Sequence, residues 1–427
     1  MFHPIGFAKE LVDLSMVIDT PLGYDPFVET APSLPIQLNV GVIGAGGRIS
    51  TVLKNVRRHA PGIRIVALCD PDANAIDKAR NELEAGDAVV CATPEELCSR
   101  EDVDWVFIGS WNCLHAEHTE TAFLGGKHVF CEKPLALTLS EAERMHTSWL
   151  KADRIFAIGL VLRYSPLYRE VHRLLQSGRL GRLLSFEFNE TLEFNHGGYI
   201  HGNWRRFTQN AGSHLLEKCC HDLDLALWLV GARPTRVASF GGCSFFTPEN
   251  IGEQHRIGPS PAGGLAFEGW KDAHNVNPFT SEKNIVDHQV AILEFTNGVH
   301  ASFHTHCMAG LPERRFYLIG SEGSLRVDAY TGRIELKRVG WNEHVEIIEP
   351  TQGDGHAGAD DPMARELAEC MAGLRLPSAG FFEGLQSLVV AEAMDSAMRK
   401  GQVFDLKPLW TRADQLRWRP SRTPYED

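Results

Sequence analysis

The feature that most restricts this chain is QLNVGVIGAGGRIS, residues 37–50: an apolar, β-branched run that ends in glycines and passes into a helical pattern. IRIVALCDPD, VDWVFIGSWN and KHVFCEKPL follow at intervals that leave room for a helix between each pair. Short apolar strands alternating with helices predict a parallel sheet covered on both faces. RIFAIGLVLRYSP, from Arg154 to Pro166, reads as the last strand and the exit from this first domain, which is expected to span residues 38–160. Residues 1–37 read as a leader arm, with a short helical pattern around Phe7 to Val17 followed by turn formers.

Gly44 and Gly46 sit between strand and helix, where glycine lets the backbone turn tightly and approach a pyrophosphate at the helix N-terminus. Ile49 replaces the third glycine of GxGxxG, so the loop alone is a weak signal. The next strand ends in Asp70, placed to accept hydrogen bonds from the adenosine ribose hydroxyls and to repel a ribose phosphate. NAD is therefore expected rather than NADP, held by Gly44, Gly46, Gly47, Arg48, Ile49 and Asp70.

A chain of 427 residues with 43% hydrophobic content has material for two globular domains. Its net charge of -13, spread without long runs, argues against nucleic acid or an anionic membrane and for a small-molecule ligand. The ten cysteines form no CxxC, and no apolar stretch of roughly 18 residues occurs, so a reducing, cytoplasmic setting is expected.

After residue 160 the texture changes. A helix, LYREVHRLLQSGRLG, leads into alternating strands: LLSFEFNETLEF, RVASFGGCSFF, NIVDHQVAILEFT, GVHASFHTHCM, RRFYLIG, GSLRVDAY and GRIELKRV. Short turns between them predict a largely antiparallel sheet in a second α/β domain, residues 161–427. Residues 247–283 read as a long irregular insertion, and helical patterns near 362–373 and 382–400 close the chain.

At VFIGSWNCLHAEHTETAFLGGKHVFCEKPL the chain resembles the Gfo/Idh/MocA family of NAD(P)-dependent sugar and cyclitol oxidoreductases. The resemblance covers about residues 38–400, through the glycine loop, Asn112 with His115, GKHVFCEKP, RYSP with GRLGRL, Trp204 with Arg205, and the HxxD of His221 and Asp224. It implies a Rossmann domain followed by an α/β domain whose large open sheet supports a homodimer or homotetramer. It also implies that Lys133 stands beside the nicotinamide and the reacting hydroxyl, where a fixed ammonium orients substrate and stabilises an alkoxide. Glu132 would fix that lysine or the nicotinamide ribose; Ser110, Trp111, Asn112, His115 and Arg163 complete the expected cofactor contacts.

EKCCHDLD, Glu217 to Asp224, looks at first like a metal site. Helical spacing puts Glu217 and His221 on one face and turns Cys219 and Cys220 away, so no metal is expected and the cysteines read as packing residues. The resemblance makes His221 the general acid/base, a task that suits an imidazole near neutrality. The family's usual DxGxH has Glu217 for its aspartate and Cys219 for its glycine here. Carbohydrate contacts are expected from Lys133, Tyr164, Tyr199, His201, Trp204, Arg205, Glu217, Lys218, His221 and His304, with Tyr199 and His201 in a polar loop. His304 and His306 share one side of a strand, facing the cleft or an oligomer interface. Arg314 and Arg315 are surface arginines or hold an anionic group.

Three functions fit these parts. The first is NAD-dependent oxidation of a secondary hydroxyl of a sugar, glycoside or cyclitol. The second is an NAD-dependent glycosidase that oxidises, eliminates, hydrates and re-reduces without net redox change. The third is a dinucleotide-binding regulator without turnover.

Overall fold

The computed structural model describes residues 34–416 apart from 262, 271–273 and 351–355. The expected leader helix lies outside the described residues. Six parallel strands form the first sheet: β1 (Leu38–Ile43), β2 (Ile63–Cys69), β3 (Val89–Val90), β4 (Trp105–Ile108), β5 (His128–Cys131) and β6 (Phe156–Ile158). Their order, β3-β2-β1-β4-β5-β6, reverses direction at β1 and β4. The crevice at the carboxyl ends of strands beside such a reversal is where doubly wound sheets bind ligands. Val40, Val42, Val106, Phe107, Val129 and Phe130 are fully buried, which is what helices on both faces require of central strands.

The second sheet has nine strands in the order β14-β13-β12-β11-β7-β10-β9-β8-β15. They are β7 (Leu183–Glu193), β8 (Pro234–Gly242), β9 (His288–Phe295), β10 (His300–Ala309), β11 (Arg315–Gly320), β12 (Gly323–Asp328), β13 (Arg333–Arg338), β14 (Glu346–Ile348) and β15 (Phe404–Asp405). Only β7 and β10 pair in parallel, so the sheet is mostly antiparallel, as the turns predict. One face carries the helices, among them Cys220–Val230 and Phe381–Lys400. On β10 the buried Ala301, Phe303 and Thr305 point to that face, and the exposed Ser302 and His304 to the other.

Two segments read as irregular are built. The stretch read as a polar loop is a helix, Phe194–Gly202, followed by a helical turn at Trp204–Arg206. The Glu193 carboxylate accepts from the backbone N–H of Asn195 and His196 and caps it. Glycine is required inside it by close approach: a Cβ on Gly197 would lie 1.7 Å from the Cys307 carbonyl oxygen, and one on Gly198 2.0 Å from that of Phe267. The insertion contributes Ala266, Phe267 and Phe279 to a second apolar cluster with the flanking Phe246 and Ile285 and with Leu192, Ile200 and Cys307. Its aromatic rings, which have no helical or strand periodicity, supply its own small core.

Candidate active site

The loop after β1 is shaped by three glycines. Gly44 has φ +80°, and a Cβ there would lie 2.3 Å from the backbone nitrogen of Ser110. A Cβ on Gly46 or Gly47 would meet nothing within 4 Å, so the space before the helix Gly47–His59 is open. No side chain caps that helix, and its first N–H groups are left for an anion. Asp70 stands at the end of β2 with Oδ2 accepting from Ala45 N–H at 2.8 Å and Oδ1 from Asp72 N–H at 2.8 Å. These residues fit a dinucleotide: an open glycine floor would take the pyrophosphate, and the held carboxylate at the end of the next strand would take the ribose hydroxyls. Exchange of Asp70 for Asn is expected to lower the ratio of NAD to NADP affinity by about tenfold or more, since about 1.4 kcal/mol of charge repulsion suffices for that. Titration of both dinucleotides against wild type and variant checks it.

The Ile49 side chain is turned inward, and only its backbone N–H, in the first turn of the helix, is left for a cofactor. Ile49 is 1% exposed, and its side chain fills the space that a Cβ on Gly109 would enter, 2.8 Å from the Ile49 Cβ. The close packing normally given by the third glycine is supplied from the facing strand end. Arg48 pairs with Glu132 at 3.0 Å and with Asp360 at 2.6 Å, while its Nη2 is buried with no hydrogen-bond partner.

The turn after β5 brings Glu132, Lys133 and Pro134, joined by a cis Lys133–Pro134 bond, to the same crevice. His115 is fully buried beneath it, with Nδ1 against the Pro134 carbonyl at 2.8 Å and Nε2 against that of Ser110 at 3.2 Å. Both ring nitrogens are engaged by the protein, so His115 positions the turn and does not line the cofactor space. Ser110 Oγ meets His118 Nδ1 at 2.9 Å.

From the second domain, Leu215–Cys219 forms a π-helical turn that leads into Cys220–Val230. Wide turns of this kind recur at functional sites. Here the Glu217 carbonyl accepts a hydrogen bond from Lys133 Nζ, joining the turn after β5 to the π-helical turn. The Glu217 carboxylate accepts from Asn112 Nδ2 at 2.6 Å and from Arg205 Nε at 2.7 Å. Burial would raise its pKa, but the charges of Lys133 and Arg205 and these hydrogen bonds hold it at about 2. Its folded pKa is depressed below the ordinary 4.5, so its stabilisation is fully present above about pH 4.5 and is lost as pH falls toward 2. Glu217→Gln is expected to cost on the order of 3 kcal/mol at pH 7 and progressively less below pH 4.5, measured by denaturant unfolding across that range.

His221 lies in the first turn of the α-helix that follows. Its ring lies 6.1 Å from that of His356, it is 4% exposed, and its Nδ1 has no hydrogen-bond partner. Burial, then the charges of Arg314 and Lys133, drive its pKa well below 6.5, so the imidazole is neutral. His356 is held through Nδ1 by Asp360 at 3.1 Å. This pair escaped the sequence reading because nothing marks a histidine some 130 residues downstream as a neighbour; the paired Asp360, four residues on, was the available signal.

Several expected contacts are corrected by their surroundings. Tyr164 is 1% exposed, and burial and the neighbouring Glu366 hold its phenol protonated in the core. His201 is fully buried, bonded to the Gly197 carbonyl at 2.9 Å and stacked on Phe246 at 4.3 Å. His304 lies on the sheet face opposite the helices, which also settles the strand ambiguity. Arg163 grips Asp224 with bonds of 2.8–3.0 Å and covers Trp228, so its guanidinium orients the helix rather than a cofactor. Lys218 meets Glu190 at 3.4 Å. The half-buried Tyr199 accepts from Arg205 Nη1 at 2.8 Å, and Arg205 lies 4.2 Å over Trp204, which stacks on Trp111 at 4.7 Å. Tyr199, Trp204, Arg205, Trp111 and Glu217 therefore form one contact network.

Arg314 is neither at the surface nor free for a ligand. It is buried and donates to both Asp222 oxygens at 2.8 and 2.7 Å, with Glu190 at 3.2 Å. Glu190, Cys219 and Asp222 are close enough together to suggest a cation site, and the cation against them is this guanidinium. Cys219 and Cys220 are buried packing residues, Cys219 also touching Thr305 Oγ1 at 3.4 Å.

Residues 38–160 match the oxidoreductase family model with an NAD-binding Rossmann fold, and residues 168–326 match the GFO/IDH/MocA C-terminal domain. The two together span more than half of the chain. The chain belongs to the Gfo/Idh/MocA oxidoreductase family. Within the family, an inositol 2-dehydrogenase of Gluconacetobacter diazotrophicus is 33% identical over 196 residues, 46% of this chain and 55% of that protein. The match thus spans about half the length of that relative. A 2,7-anhydro-N-acetylneuraminate hydratase of Mediterraneibacter gnavus is 27% identical over 313 residues, 73% of each chain. A levoglucosan dehydrogenase solved with NADH and levoglucosan shares the fold, with TM-score 0.72 at 19% identity over 87% of this chain and 100% of that one.

Proposed function

We propose that the protein oxidises a secondary hydroxyl of a sugar, glycoside or cyclitol, with residues 38–160 holding NAD and residues 161–427 the carbohydrate. The observation that carries this reading is the bond from Lys133 Nζ to the Glu217 carbonyl, which fixes a cation of the dinucleotide domain against the helix that bears His221. NAD bound on the glycine loop supplies the hydride acceptor. Lys133 donates to the substrate oxygen and stabilises the negative charge that builds there. His221, neutral and with an unpartnered buried nitrogen, takes the hydroxyl proton as the carbon loses hydride. Glu217 keeps its charge through Asn112 and Arg205, and with Tyr199 forms the polar edge against which hydroxyls are aligned.

The longer match to a hydratase favours a second reading for the same residues, redox-neutral cleavage of a glycosidic bond with NAD regenerated at each turnover. A panel of sugars, cyclitols and aryl glycosides with NAD, followed at 340 nm and by aglycone release, separates the two. Net NADH without release supports the dehydrogenase; release with catalytic NAD and no net NADH supports the cleavage reaction; neither, with NAD bound, supports a regulator.

No helix among the described residues is long and apolar enough to cross a membrane. Ten free cysteines support a cytoplasmic setting. The open face of the nine-stranded sheet exposes Phe240, Val290 and Ile292 around a shallow hollow of about 400 Å³ that includes His304, which supports a homodimer or homotetramer joined through it. We assign no nucleic-acid or membrane partner.

A further inference from the structure

The residue 247–283 insertion does more than cover the second domain. It is anchored on the helix Phe194–Gly202: Phe267 N–H donates to Asn195 Oδ1 at 2.8 Å, and Val276 N–H to the Gly202 carbonyl at 2.7 Å. From this base it presents Trp270, which is 53% exposed although Phe267 and Phe279 of the same insertion are buried at 0–1%. Tyr199 and His196 meet the indole at 4.9 and 5.0 Å with interplanar angles of 79° and 89°. Neither ring is parallel to the indole, about half of whose surface stays exposed.

The place of this ring in the fold gives it meaning. Tyr199 is bonded to Arg205, and Arg205 to Glu217, so the chain of contacts from Trp270 reaches Glu217 through two side chains. The insertion also sets His274 against Trp111, with ring centroids 5.1 Å apart and an interplanar angle of 78°. An exposed indole beside a buried, charged, hydrogen-bonding cleft has the composition of a carbohydrate subsite: an apolar plate for the C–H face of a ring and polar groups for its hydroxyls.

We propose that Trp270 is the platform of an outer subsite that takes a second sugar ring, so that the substrate is a glycoside with at least two rings. This rests on the carbohydrate reading above and narrows it. The ring that reacts lies against Lys133 and His221; the ring joined to it stacks on Trp270, with His196 and Tyr199 at its edge.

The test is calorimetric titration of the full chain saturated with NADH, which binds without allowing substrate oxidation. The probes are matched pairs: methyl glycosides of glucose, galactose and N-acetylglucosamine, and β- and α-linked disaccharides carrying the same first ring. The disaccharide of at least one pair is expected to bind about tenfold more tightly than its methyl glycoside. Trp270→Ala is expected to remove that advantage while leaving the methyl glycoside within twofold, and Trp270→Phe to retain most of it. If no disaccharide exceeds its methyl glycoside, or if the advantage survives in Trp270→Ala, the subsite is refuted and the carbohydrate reading stands. If NADH binds and no probe of either kind does, the carbohydrate reading itself fails, and the subsite with it.

Discussion

Replacing Lys133 with Met is expected to lower turnover by about 10²–10⁴-fold while NAD affinity changes by no more than about threefold. The side chain is of similar length, so packing around the half-buried position is kept and the ammonium alone is lost. Lys133 sits at the end of β5, where His115 and Glu132 hold the backbone, and none of the groups that form the glycine floor or the Asp70 site contacts its Nζ. Loss of the ammonium removes the donor to the substrate oxygen and one of the charges that hold down Glu217 and His221. The imidazole should therefore become somewhat more basic, and the residual activity should shift its acidic limb to higher pH. Steady-state kinetics with a titration of NAD against the variant checks both parts. Normal turnover in Lys133→Met would remove this residue from the chemistry.

The second large effect concerns stability. Arg314→Leu is expected to cost about 3–5 kcal/mol at neutral pH, because it leaves Asp222 and Glu190 buried with their shared counter-charge gone. Burial pushes the Asp222 carboxyl up, and the charges of Arg314 and Lys218 overcome the same burial to hold Glu190 down. Without Arg314 both groups favour protonation, so the deficit should shrink as pH falls toward 4. Chemical denaturation of wild type, Arg314→Leu and the double variant with Asp222→Leu measures it, and the double variant should regain part of the loss. Asp222 follows His221 on its helix, and the charge of Arg314 is the second cause, after burial, that keeps that imidazole neutral. A variant as stable as wild type at pH 7 would show that the ion pair is not what compensates the two buried carboxyls.

Much of the scaffold was legible because it follows from local periodicity. Four apolar runs separated by helix-length intervals specify a parallel sheet, and alternating strands joined by short turns specify the second one. What escaped depends on distant partners. Ile49 looks like a defect in the glycine motif until Gly109, from the facing strand end, is seen to leave room for it. The run NHGGYIHG has the composition of a loop, yet its glycines let a helix lie against the backbone of Cys307 and Phe267. Arg314 reads as a surface cation because a sequence does not show that two carboxyls, about 90 and 120 residues away, are buried against it. The helical periodicity of EKCCHDLD does not mark the π-helical turn at Leu215–Cys219, which holds Glu217 and ends just before the α-helix of His221.

The measurement that tests the account most directly is a single-turnover experiment with an oxidisable carbohydrate deuterated at its ring carbons, excess enzyme and NAD, quenched and read by mass spectrometry. Both readings of the cleft require hydride to leave carbon for the nicotinamide, so deuterium is predicted at the nicotinamide C4 position before product is released. Conversion of the carbohydrate with no deuterium on the nicotinamide at any quench time, from the first milliseconds to completion, would contradict the account.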